Sequence, residues 1–152
     1  ILQRANIDIQ KFISHSQISH VTAFYSTINL DRMTLTFAGA GHPAAVLLHE
    51  DLTFELLEAN GIFLGMYPDE VYEEKTISLA AGDRLLLFTD GIIETSNELN
   101  EPFGTKRLVD LAIMHSDREP DDLVEIVFEQ LYKFREGETQ RDDQTLVVVD
   151  IK

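Results

Sequence analysis

The order of the apolar patterns constrains this chain more than any single motif. Strand-like stretches come in a run, and helical stripes come late. VTAFYSTIN is rich in β-branched and aromatic residues and reads as a strand. NLDRM supplies a turn, and TLTFAGA reads as the returning strand. AAVLLH follows Pro43 as a further short strand, with Thr53–Leu57 expected to pair with it across HED. VYEEKTISL alternates, as an edge or exposed strand does, and Arg84–Phe88 is a continuous apolar strand, hence buried. Leu108, Leu111 and Ala112 then mark one helix face, and Leu123, Val127, Leu131 and Phe134 a longer one. Pro120 suits a first helical position, with Glu119, Asp121 and Asp122 at the positive end of the dipole. TLVVVDI closes the chain as a strand expected to be central, being apolar on both faces. Leu2, Ile9, Phe12 and Ile13 predict a short opening helix. Strands in runs, rather than alternating βαβ units, predict an α+β fold with mostly antiparallel sheet, the late helices covering one sheet face.

The length of 152 residues suits a single domain spanning 1–152. No stretch approaches the length of an apolar membrane span. The opening ILQRANIDIQ is not a signal peptide, and without an initiator Met, Ile1 reads as an internal cut point. The chain has no cysteine, which excludes a disulfide framework and a Cys-based zinc site, and an intracellular home is the simpler expectation. A net charge of −15 repels phosphate backbones and anionic lipid, so nucleic-acid binding is not expected. Most of the excess carboxylates solvate the surface, but a few can gather around a hard cation that prefers oxygen ligands.

Two motifs place carboxylates at the ends of apolar strands. LLLFTDGIIE ends a buried strand in Thr89–Asp90–Gly91, where a rigid element would hold a metal ligand and glycine permits a sharp turn. RDDQTLVVVD puts Asp142 and Asp143 just before the last strand, and a divalent cation would relieve the repulsion between adjacent carboxylates. Alone, the first motif reads more simply as an Asp-Gly turn and the second as a solvated acidic loop. Together, they make a metal site if the two strand ends converge. AGAGHPAA is Gly-rich but leads into a strand, not the helix that a phosphate cradle needs. Gly39 and Gly41 are therefore expected at a tight turn or close chain approach, and His42 is either an acid/base or a hydrogen-bonded loop histidine. In EPFGTKRL, Thr105 is expected to cap the next helix. The adjacent basic pair Lys106 and Arg107 either faces a phosphorylated partner or solvates a helix face. His15, His20, His49 and His115 show no metal-binding spacing, and no serine sits in a G-x-S-x-G context.

In order, FAGAGHPAAVLL, FLGMYPDEVYEEKTISLAAGDRLLLFTDGIIET, NEPFGTKRL and RDDQTLVVV resemble the PPM class of metal-dependent serine/threonine phosphatases. The nearer likeness is to the bacterial branch of stage II sporulation protein E and the phosphatases that regulate sigma factors. It covers nearly the whole chain. The resemblance implies a sandwich of two mostly antiparallel sheets flanked by helices, with two Mn2+ or Mg2+ ions between them. It implies Asp90 and Asp142 as ligands of one metal, with Asp143, Gly91 and His42 in support. It also implies a cytoplasmic protein and an upstream sensor or receiver domain. The substrate implied is a phosphoserine or phosphothreonine protein, such as an anti-sigma-factor antagonist. The family's first metal-binding acidic residues lie upstream of the Ala-Gly-His segment, and nothing in residues 1–20 matches them. By this resemblance the chain is a truncated domain lacking its N-terminal portion.

Direct hydrolysis by a metal-bound hydroxide needs no covalent nucleophile, in keeping with the absence of cysteine. Two other readings compete. FTDGIIET resembles the Asp-x-Asp-Gly-Thr motif of haloacid-dehalogenase-type phosphatases, but Phe88 stands where their nucleophilic Asp belongs. A non-catalytic regulatory or protein-interaction module on a phosphatase-like scaffold is the second.

Overall fold

A computed structural model describes residues 1–13 and 21–152. Its elements in chain order are α1 (Leu2–Ile13), β1 (Ala23–Asn29), β2 (Thr34–Ala40), β3 (Ala45–Leu48), β4 (Phe54–Leu57), β5 (Lys75–Ser78), β6 (Arg84–Phe88), α2 (Asp90–Ile93), α3 (Gly104–Met114), α4 (Pro120–Arg135) and β7 (Leu146–Asp150). Every ladder between these strands is antiparallel. His15 and His20 lie outside the described residues. No described helix is long and apolar enough to cross a membrane. Contacts divide the chain into two compact units, Ile1–Ala44 with Glu58–Leu79 and Ala45–Leu57 with Ala80–Lys152.

The first unit holds a three-stranded sheet in the order β1-β2-β5, with β5 at an edge as its alternation predicts. Leu2, Ala38, Ala40, Leu64 and Tyr72 form its small core. The apolar stripe of α1 is less regular than its sequence: Phe12 is exposed, whereas Asn6 is fully buried. Asn6 is satisfied there, donating to the Tyr67 carbonyl at 2.7 Å and accepting the Gly65 N–H at 2.6 Å. Its amide therefore costs little to bury. Gly39 and Gly41 do serve a close chain approach. A Cβ on Gly39 would stand 2.7 Å from the Ala59 Cβ, and one on Gly41 would stand 2.3 Å from the Phe63 ring. Gly41 also has a φ of +62°, which favours glycine.

The second unit holds a four-stranded sheet in the order β4-β3-β6-β7. Val46, Leu48, Leu86 and Phe88 of the sheet pack with Leu108, Val109 and Ala112 of α3 and Leu123, Val127 and Leu131 of α4. Each fully buried leucine contributes about 1.5–3 kcal/mol, so the helix stripes read from the sequence hold this unit together. Pro120 occupies the first turn of α4, as expected. Two local expectations fail. Thr105 lies inside α3, whose N-cap is Phe103, without a side-chain cap. β7 is not central; among the described residues it pairs only with β6. Leu146 and Val148 join the core, but Val147 is 45% exposed. The apolar run of β7 thus reflects strand-forming β-branched residues rather than burial on both faces.

At the opposite end of β6 from Asp90, the buried carboxylate of Asp83 accepts the Ala80 N–H at 2.8 Å and lies 2.9 Å from His49 Nδ1. His49 Nε2 also lies 3.5 Å from Glu55. The hydrogen bond to Asp83 raises the His49 pKa above its ordinary value, against the opposing effect of burial. A raised folded-state pKa contributes stability that is complete below the unfolded value of about 6.5 and lost as pH rises through the folded value. Urea titrations of the protein and of His49→Gln should therefore show the largest stability gap on the acid side, narrowing as pH rises. A gap that widens with pH would reverse the assignment.

Candidate metal centre

Thr89, Asp90 and Gly91 follow β6 directly, and Asp90 begins the short helix α2. Asp142 and Asp143 precede β7, which pairs with β6 so that Phe88 faces Leu146. This register carries both acidic motifs to the same end of the β6–β7 pair. Convergence of the two strand ends, which the sequence posed as a condition, is present in the second unit.

Main-chain and side-chain bonds stitch the two segments together. Thr89 Oγ1 donates to the Asp143 carbonyl at 2.9 Å and accepts the Thr145 N–H at 3.0 Å. The Thr89 N–H donates to the Thr145 carbonyl at 3.1 Å. Gln144 Nε2 donates to Thr95 Oγ1 at 2.7 Å and to the Gly91 carbonyl at 3.3 Å, and Thr95 Oγ1 donates to that same carbonyl at 2.7 Å. Gly91 is buried, and a Cβ on it would lie 2.3 Å from the Asp143 carbonyl oxygen. Only glycine lets the acidic loop come this close.

Each candidate ligand is held by its own neighbour. Asp90 Oδ1 accepts the Gly91 N–H at 3.1 Å, and Asp142 Oδ1 accepts the Asp143 N–H at 2.7 Å. Gln140 Nε2 fixes the loop further by donating to the Asp142 carbonyl at 2.8 Å. In each aspartate one oxygen is thus oriented by the main chain, while Oδ2 makes no hydrogen bond among the described residues. Charged oxygen donors of this kind fit a hard divalent cation such as Mg2+ or Mn2+. Among the described residues, no three His, Asp or Glu side chains gather in a metal-binding cluster. Asp143 contributes its carbonyl and N–H to the stitching.

The other singled-out residues have local partners of their own. His42 belongs to the first unit, where its Nδ1 lies 3.1 Å from Thr22 Oγ1. Lys106 pairs with Asp110 one turn along α3. Arg107 donates to the Pro102 and Phe103 carbonyls and lies 4.8 Å over the Phe134 ring, holding the start of α3. Thr95 and Gln144 were missed in the sequence. Each is an ordinary polar residue whose role comes only from the β6–β7 register.

The chain is similar to named phosphatases and to solved structures. It is 31% identical over 152 residues to phosphoserine phosphatase RsbU of Bacillus subtilis (strain 168), covering 98% of this chain and 44% of that protein. It spans less than half the length of the curated relatives it matches. The SiaA-PP2C domain of Pseudomonas aeruginosa superposes with a TM-score of 0.77 at 21% identity, covering 99% of this chain and 68% of that one. The manganese-presoaked phosphatase domain of the cell fate determinant SpoIIE from Bacillus subtilis superposes with a TM-score of 0.63 at 20% identity, covering 97% of this chain and 73% of that one. The antiparallel sheets and helices are therefore those of the PP2C-type fold expected from the sequence. The family model described as Stage II sporulation protein E (SpoIIE) matches residues 1–152, and the chain belongs to that family.

Proposed function

We propose that this chain carries part of the active site of a metal-dependent phosphatase that hydrolyses phosphoserine or phosphothreonine on a protein. The observation that carries the reading is the convergence of the Asp90 and Asp142 segments at one end of the β6–β7 pair, each aspartate with one oxygen held by the main chain. Similarity to a phosphoserine phosphatase and to a manganese-presoaked phosphatase domain supports it. Asp90 and Asp142 would hold one Mn2+ or Mg2+ ion, and the complete domain would hold two. A bound ion of this type supplies a water of lowered pKa and offsets charge on the phosphoryl oxygens. The residues of this chain orient the carboxylates and keep the two segments in register. Two carboxylates fill two of roughly six positions around such an ion, so water or other groups must complete the shell. The substrate class proposed is a phosphorylated anti-sigma-factor antagonist, acted on in the cytoplasm under an upstream sensor or receiver domain.

The test is phosphate release from a phosphoserine protein by the full-length protein, with Mn2+ and then with EDTA. The reading expects release that Mn2+ supports and EDTA stops. A full-length protein that binds the phosphoprotein and releases no phosphate with Mn2+ or with Mg2+ in its place would instead be a regulatory module.

A further inference from the structure

A cleft of about 320 Å3 opens beside Asp142, with Gly91, Glu94, Gln140, Arg135 and Arg141 in its walls. Two arginines at one cleft are out of keeping with a chain that has 12 Lys and Arg against 27 Asp and Glu. Several other cations are engaged: Arg84 with Asp150, Lys106 with Asp110 and Lys133 with Glu129. Arg135 is not matched in this way. Its Nε is buried and has no hydrogen-bond acceptor among the described residues, and its guanidinium lies only near the Tyr132 ring, at 5.7 Å. Arg141 reaches Glu138 only at the long distance of 3.9 Å. The Arg135 guanidinium thus makes no hydrogen bond or ion pair among the described residues, and a planar guanidinium matches a carboxylate in two-point geometry.

We propose that this cleft is a specificity subsite that receives the carboxylate of an Asp or Glu flanking the phosphoserine of the protein substrate. The inference rests on the phosphatase reading, which places the phosphoryl group at Asp90 and Asp142. The subsite adjoins Asp142, so its occupant is a near neighbour of the phosphoserine. Glu94 in the same cleft and the net charge of −15 disfavour a second phosphate dianion and favour a monoanionic side chain. The volume suits a few side chains, at the lower end of the roughly 300–1,000 Å3 of ligand pockets.

The test uses the full-length protein with Mn2+ and fluorescent phosphoserine peptides that differ only in carrying Glu, Gln or Lys beside the phosphoserine. Affinity is read by anisotropy and turnover by phosphate release. The wild type should bind the Glu peptide about tenfold more tightly than the Gln peptide, as one charge-assisted contact allows. Arg135→Gln should erase that preference. Arg141→Glu, a change in an exposed loop that tests the idea even if Arg135→Gln does not fold, should shift it toward the Lys peptide. Equal affinity of the wild type for the Glu and Gln peptides, or a Glu preference that survives in the folded variants, overturns the subsite. Should neither peptide be hydrolysed while the arginine-dependent preference persists, the phosphatase reading falls and the subsite stands.

Discussion

Gly91→Ala is expected to destabilise the protein by about 1–3 kcal/mol, as overpacking of a close contact does, and to weaken Mn2+ binding at least about tenfold. Two effects compete at this position. Gly91 lies within α2, where alanine would gain about 1 kcal/mol over glycine from helix propensity. Against that, the new Cβ would sit 2.3 Å from the Asp143 carbonyl oxygen and 3.0 Å from its carbon. Those are main-chain atoms; the Thr89 hydroxyl donates to that oxygen, and the next residue, Gln144, is tied to the Gly91 carbonyl. The clash therefore wins, and relief requires the acidic loop to move away from Asp90. Urea unfolding and isothermal titration with Mn2+ read the two consequences separately. Full stability and unchanged Mn2+ affinity in the variant would mean that the two segments are not held against each other.

Asp90→Asn and Asp142→Asn should each lower Mn2+-dependent turnover of a phosphoserine protein at least about a hundredfold, more than the loss typical of residues behind a metal ligand. Asparagine keeps the shape of aspartate, and its carbonyl oxygen can still accept the neighbouring N–H. What it removes is the charged oxygen offered to a hard cation. Melting temperatures should consequently change little. Asp143→Asn is the internal comparison: its main-chain groups hold the loop, so the side-chain change should cost less than about tenfold. Equal losses at all three positions would assign them to a general acidic surface rather than to distinct roles.

Much of this was legible because β6 is unambiguous. Four apolar residues, Leu85–Phe88, run into Thr-Asp-Gly, so the position of Asp90 at a strand end followed from the pattern alone. The partner motif was legible as an acidic pair before a strand, but its meeting with Asp90 needed the β6–β7 register, which no local pattern encodes. The edge position of β7 was misread because Val147 and Val149 carry strand propensity without deep burial. Thr105 was misread as a cap because it is a good capping residue one position after a glycine with a φ of +76°, where the chain had already begun to turn into α3. Thr95 and Gln144 were invisible for a deeper reason. Their hydrogen bonds span 49 and 53 residues of sequence, and only the folded sheet brings them together.

The central claim is that Asp90 and Asp142 bind one and the same divalent ion. Titration of Mn2+ into the full-length protein, followed by the paramagnetic resonance of free Mn2+, tests it with Asp90→Asn, Asp142→Asn and the double variant. The account predicts that either single change removes the same binding event, and that the double variant binds no less Mn2+ than either alone. Losses from the two single changes that add up to two separate ions, or binding curves that match the wild type, would contradict it.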